Sequence, residues 1–108
     1  MARKKLETLT EQMYYVLLSL TQERHGYGIM QDITQRTNGR VSVGAGTLYA
    51  LLARFEEEGL ITLSSTREGR KYYTLTPEGR QSLEQEYGRL CQQVHDGAVL
   101  LDRKELNP

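Results

Sequence analysis

Apolar positions recur at helical spacing in four stretches and at alternating spacing in one. Leu9, Met13, Val16, Leu17 and Leu20 fall three and four apart, which predicts a first helix opened by the capping-box pair Thr8 and Glu11 and closed near Arg24. The two glycines of His25-Gly26-Tyr27-Gly28 predict a sharp turn. A second helix over Tyr27 to Thr37 then turns Ile29, Met30 and Ile33 inward and stops at Asn38-Gly39. After the link from Arg40 to Val43, with Ser42 as the expected N-cap, Leu48, Leu51, Leu52 and Phe55 form one apolar stripe, and Gly59 stands where a C-terminal glycine cap belongs. The opposite face of this third helix begins with Thr47, Tyr49 and Ala50 and finishes with Arg54, Glu57 and Glu58.

Beyond Gly59 the period changes to two. Ile61 and Leu63 alternate with Thr62 and Ser64, and a return strand reads Lys71-Tyr72-Tyr73-Thr74-Leu75. The polar stretch Thr66 to Arg70 between them contains a glycine, so the pair is a β-hairpin with a basic tip. Thr76-Pro77-Glu78 opens a fourth helix, with threonine as cap, proline at the first helical position and glutamate against the positive end of the dipole. Along it Leu83, Tyr87, Leu90 and Val94 step by four, three and four, the spacing of a coiled-coil seam. Gly97 is a candidate breakpoint, beyond which Ala98 and Leu101 extend the stripe.

A chain of 108 residues has room for one core, divided here into a compact unit over residues 1–76 and a helix with its tail over 77–108. Lys and Arg number 14 and so do Asp and Glu, so any anionic partner has to be met by local charge. The basic groups gather at Arg3, Lys4 and Lys5 and at Arg67, Arg70 and Lys71. One cysteine, Cys91, excludes an internal disulfide, and Met1 to Lys5 carries no apolar run of a secretory leader, so the expected location is the cytoplasm. No stretch approaches the ~20 apolar residues of a membrane span, and no membrane partner is expected. Paired carboxylates, a nucleophile with its base and a phosphate-cradling glycine loop are all missing from the pattern. No enzyme, cofactor or metal site is therefore expected; Cys91 and His95, four apart, offer only two ligands.

Three helices, a hairpin and a long helix are the order of a mainly α winged helix-turn-helix with a C-terminal dimerisation helix. In that architecture the N-terminal end of the third helix meets base edges in the major groove. The candidate DNA-contacting residues are Gly44, Gly46, Thr47 and Tyr49 there, Arg67, Arg70 and Lys71 on the wing, and Lys4 and Lys5 on an N-terminal arm. The competing roles are packing of Tyr49 against the wing, local capping by Thr47, a merely solvated wing tip and a frayed terminus. Leu83, Tyr87, Leu90, Val94 and Leu101 are the candidate dimer contacts. Met13, Tyr14, Leu17, Tyr87 and Leu90 are candidates for an effector pocket between the first and fourth helices, with plain packing of the dimer core as the alternative.

His25-Gly26-Tyr27-Gly28-Ile29, then Gly46-Thr47-Leu48-Tyr49 with Leu52, Arg54 and Glu56-Glu57-Glu58-Gly59-Leu60-Ile61, and then Arg70-Lys71-Tyr72-Tyr73-Thr74-Leu75-Thr76 with Gly79 together resemble the PadR family of bacterial transcriptional regulators. The resemblance runs from about Leu9 to Leu90. It implies a homodimer that binds an inverted-repeat operator in double-stranded DNA as a repressor and is released by a small phenolic or aromatic effector. The short C-terminal part is similar to the subgroup with a single dimerisation helix. Val43-Gly44-Ala45-Gly46 replaces the Ser-Pro-Gly lead-in common in the family, and Phe55 stands where leucine is usual. With no tryptophan in the chain, an aromatic effector would stack on tyrosine or phenylalanine. The other class compatible with the pattern is a winged helix that binds only protein, for which a basic wing has no use.

Overall fold

Thr10, rather than Thr8, opens the first helix: its hydroxyl accepts the Met13 N–H at 3.2 Å. The computed structural model describes residues 8–101. Helix α1 (Glu11–Ser19) is shorter than its apolar spacing predicts. The chain leaves it because Leu20 closes the last turn and Arg24 Nε donates to the Ser19 carbonyl at 2.8 Å. Arg24 and His25 are then free to run extended as strand β1 (Arg24–His25). Two residues are too few for any periodicity to reveal.

The glycines expected to form a turn are instead the first residues of α2 (Gly26–Arg36), whose N-cap is His25, with Nδ1 accepting the Gly28 N–H at 3.0 Å. Helix α3 (Ala45–Glu57) starts two residues later than a Ser42 cap would place it. Gly44 is its N-cap, and no side chain caps it. Its other end follows the sequence. Gly59 adopts φ +78°, the Gly59 N–H donates to the Glu56 carbonyl at 3.1 Å, and the Leu60 N–H donates to the Phe55 carbonyl at 2.8 Å, a Schellman closure.

Strands β2 (Ile61–Arg67) and β3 (Arg70–Leu75) form the hairpin, and β3 also pairs with β1, giving a three-stranded antiparallel sheet in the order β1-β3-β2. The loop is only Glu68-Gly69, both at positive φ (+52° and +76°), as a type I′ turn requires. A register shift between Leu63 and Ser65 breaks the expected alternation. Ile61 is buried in the core, whereas Leu63, at the shift, is 41 % exposed.

Buried side chains from α1 (Val16, Leu17), α2 (Ile29, Ile33) and α3 (Leu48, Leu52, Phe55) meet Leu20, Val41, Val43, Leu60 and Ile61 in one core. Truncating the fully buried Phe55 to alanine is worth ~3–5 kcal/mol in such a site.

Helix α4 (Pro77–Leu100) runs unbroken through Gly97, since a single glycine lowers helix propensity without interrupting the hydrogen-bond ladder. Thr76 ties its start to the end of α3: the hydroxyl donates to the Gly59 carbonyl at 2.6 Å and accepts the Gly79 N–H at 3.0 Å. Gly79 lies flat against the chain, where a Cβ would stand 1.9 Å from the Leu60 carbonyl oxygen. That contact sends Leu83 into the core at 5 % exposure, so the residue expected to begin the dimer seam belongs to the intrachain packing. The result is mostly helical with a small sheet, a winged helix-turn-helix extended by a long C-terminal helix.

Candidate nucleic-acid interface

Helix α2 and the wing are held together through β1, and the first turns of α2 and α3 touch through Gly26. A Cβ on Gly26 would lie 2.6 Å from the Tyr49 hydroxyl, so the missing side chain seats the tyrosine. The outcome is an open cleft of about 390 Å³ lined by His25, Gly26, Tyr27, Tyr49, Gly69, Arg70, Lys71 and Tyr73. Tyr27 and Tyr49 are 56 % and 57 % exposed. Tyr49 thus stands free of the core, though not free of neighbours. Behind it the Tyr73 hydroxyl is pushed above its ordinary pKa by burial, with smaller contributions from Glu56 and Tyr49.

Three of the residues expected to meet DNA, Tyr49, Arg70 and Lys71, line this one cleft. Gly44, Gly46 and Thr47 lie beside it, exposed, at the uncapped start of α3. A Cβ at Gly44 or Gly46 would meet nothing within 4 Å. Contacts among the described residues therefore give no reason for glycine at either position, although Gly44, as the N-cap, is of a type favoured there.

Arg67 faces elsewhere. Its guanidinium lies 3.8 Å from the centroid of the Tyr72 ring and pairs with Glu23 at 3.0 Å. Glu23 also accepts from the Ser64 and Ser65 hydroxyls. The Ser64 bond first, then the charge of Arg67, holds its carboxyl below the usual carboxylate range. Lys4 and Lys5 lie outside the described residues.

Spacing along α3 reconciles a neutral chain with a local basic surface. Gly46 and Glu57 are separated by ~16 Å at 1.5 Å per residue, beyond a physiological Debye length of ~8–10 Å. Glu57 at the far end of α3 is thus screened from its N-terminal end, whereas the charge of Glu56 is felt at Tyr73 in the cleft.

On α4, Tyr87 is 51 % and Val94 37 % exposed and Leu90 is half-buried, and Leu101, which caps the helix, is 69 % exposed. Between α1 and α4 a second cavity of about 240 Å³ is lined by Leu9, Thr10, Glu11, Tyr14, Tyr15, Glu86, Arg89 and Leu90. Of the expected effector residues only Tyr14 and Leu90 reach it. Leu17 is fully buried in the core, one helical step too far inward, Met13 packs against that core, and Tyr87 is not among the residues that line the cavity. Glu86, nearly buried, accepts from Arg89 and from the Leu9 N–H and so ties the start of the described chain to α4. Burial, followed by neighbouring Tyr15 and Tyr87, raises the Tyr14 pKa.

The sequence reading missed His25 and Tyr27 as parts of the site. His25-Gly26-Tyr27-Gly28 was the available signal, but only the strand pairing of His25 with Tyr72 brings it under the wing.

Residues 15–85 match the family model described as the transcriptional regulator PadR-like family. Among curated proteins, an uncharacterized protein of Lysinibacillus sphaericus is 37 % identical over 70 residues, which are 61 % of this chain and 64 % of that protein. The transcriptional regulator YqjI of Escherichia coli is 33 % identical over 63 residues, 58 % of this chain and 30 % of that protein. The chain thus spans less than two thirds of these relatives' length. A PadR family transcriptional regulator from Eggerthella lenta superposes with a TM-score of 0.73 at 26 % identity, covering 86 % of this chain and 83 % of that one. A PadR-like transcriptional regulator from Bacillus cereus does so with a TM-score of 0.64 at 28 % identity, covering 87 % and 93 %.

Proposed function

Because the chain belongs to the PadR-like family of transcriptional regulators, we propose that it is a dimeric, sequence-specific repressor that presents the start of α3 to the major groove of duplex DNA and the wing to the flanking backbone. The observation that carries this reading is the single cleft in which exposed Tyr49 of α3 stands beside Arg70 and Lys71 of the wing. Base-edge contacts fall to Thr47 and Tyr49, and phosphate contacts to Arg70 and Lys71. Gly44 and Gly46 fit the same reading, since an unoccupied Cβ direction lets a partner's backbone approach closely.

In this reading residues 1–76 form the DNA-binding unit, and 77–108 the dimerisation helix and tail, anchored by Leu83. Two copies pair through Tyr87, Leu90, Val94 and Leu101, each contributing in proportion to the apolar area it still exposes, ~25 cal/mol per Å². Paired recognition helices about one helical turn apart, ~34–36 Å, read an inverted repeat. The α1–α4 cavity, at about 240 Å³ a little below the usual range of ligand pockets, which starts at ~300 Å³, takes only a small aromatic effector. The protein acts in the cytoplasm, and among the described residues no helix is long and apolar enough to cross a membrane.

Selection of bound sequences from random duplexes tests the reading, repeated with a panel of phenolic and aromatic ligands. An enriched inverted repeat, weakened by one of those ligands, is expected. A single unsymmetric site contradicts the dimer geometry, and no enrichment favours a winged helix that binds only protein.

A further inference from the structure

The imidazole of His25 is claimed by two donors. The Gly28 N–H points at Nδ1 at 3.0 Å, and Nη1 of Arg70 lies 2.9 Å from Nε2. A neutral imidazole has one acceptor nitrogen and one N–H, and a guanidinium has donors only. Whichever tautomer forms, one of these contacts sets N–H against N–H.

The Gly28 N–H is fixed in the first turn of α2, whereas Arg70 is an exposed side chain on the wing. The backbone donor therefore keeps Nδ1, the ring proton sits on Nε2, and Nε2–H and the guanidinium converge with no acceptor between them. The ring is held from two sides: it meets the Tyr72 ring in a T-shaped contact with centroids 5.1 Å apart, and its backbone is paired to β3. Lys71 and the tyrosines Tyr27 and Tyr49 line the same cleft, and among the described residues no carboxylate does. Glu56 acts on Tyr73 through its charge.

We propose that His25 is a DNA-contacting residue as well as a helix cap: a backbone phosphate of the bound duplex accepts from His25 Nε2–H, and the exposed Arg70 side chain moves off its 2.9 Å approach to that nitrogen and donates to the same phosphate. This rests on the reading that the cleft faces duplex DNA. The group that fits is a singly charged phosphodiester, because its oxygens accept without donating and its charge is matched by Arg70 and Lys71. His25 is neutral in this arrangement, so it strengthens the contact without adding a released counterion.

Fluorescence anisotropy with a random-sequence duplex across a salt series tests it, using the wild-type chain, His25→Asn, Arg70→Ala and the double variant. Asparagine is among the best N-caps, so His25→Asn keeps a helix cap while deleting the Nε2 donor; circular dichroism melting checks that each variant is folded. His25→Asn is expected to bind ~10- to 150-fold more weakly with an unchanged salt slope, as for the loss of one hydrogen bond to a charged group. Arg70→Ala is expected to bind more weakly with a slope shallower by about one. The double variant should lose less than the product of the two, because the two groups hold one phosphate. Wild-type affinity in folded His25→Asn overturns the inference, and so do fully multiplicative losses. Either result, with Arg70→Ala still weakened, leaves the DNA reading standing. Salt-independent or undetectable binding by the wild type overturns both.

Discussion

Gly26→Ala separates folding from binding. The new methyl would lie 2.6 Å from the Tyr49 hydroxyl, 3.0 Å from Cζ and 3.1 Å from Cε1. Those atoms are the far end of a side chain that is 57 % exposed, so Tyr49 swings outward rather than the backbone moving. Displacing it from its preferred rotamer costs ~0.5–1.5 kcal/mol. Alanine's helix preference over glycine returns up to ~1 kcal/mol, less in a first turn than in a helix interior. Net stability should therefore change by less than ~1 kcal/mol, a shift of a few degrees in Tm for a domain of this size. Binding to a selected operator should nevertheless fall by ~1–3 kcal/mol, ~5- to 150-fold, because Tyr49 no longer stands beside the wing. Thermal melting and anisotropy titration on the same preparation check both halves. A folded Gly26→Ala chain with wild-type operator affinity would refute the role given to Tyr49, and a fall in Tm beyond ~10 °C would refute the claim that the contact is soft.

Gly79→Ala should behave in the opposite way. Its methyl meets the Leu60 carbonyl oxygen at 1.9 Å, an atom that already accepts the Thr76 N–H, so overpacking and a strained hydrogen bond together cost ~2–4 kcal/mol and lower Tm by roughly 10 °C or more, whereas Gly88→Ala, with nothing within 4 Å, should raise it slightly; differential scanning calorimetry distinguishes the two. Tyr87→Asp with Val94→Asp should leave the chain folded and monomeric, read by light scattering at micromolar concentration. Glu86 is held below the ordinary glutamate pKa by its hydrogen bond from Arg89, against the opposing effect of burial and with help from the Leu9 N–H. A depressed folded-state pKa contributes stability that is present above the unfolded value, about 4.3, and is lost as pH falls through the folded one, so the drop in Tm below that pH should be smaller in Glu86→Gln.

The helices were legible because each buries one stripe, and the stripes of α1, α2 and α3 enter the core much as their spacing predicts: Leu48, Leu52 and Phe55 are buried, and Leu51 half so. Boundaries were less legible where backbone partners decide them. Thr10 caps α1 in place of Thr8, Gly44 precedes α3 without any side-chain cap, and β1 exists only because β3 offers it a ladder. The four-three-four stripe on α4 likewise did not show where it passes from core to surface. That change depends on the seat of Gly79 against Leu60, a contact between residues far apart in sequence, which turns Leu83 inward and leaves Tyr87 and Val94 outside. At the candidate interface the residue types were readable and their grouping was not. Tyr49, Arg70 and Lys71 converge, while Arg67, equally basic, is taken up by Glu23 and Tyr72.

The most direct test is the dependence of duplex affinity on salt, measured for the wild-type chain, Tyr49→Ala and Lys71→Ala on both a selected operator and a random duplex. The expected result is a steep loss of wild-type affinity with salt, a loss of ~1–3 kcal/mol for Tyr49→Ala confined to the operator, and a similar weakening on both duplexes for Lys71→Ala with the slope reduced by about one. A flat salt response, or equal losses for both variants on both duplexes, would contradict the claim that the start of α3 reads sequence while the wing holds the backbone.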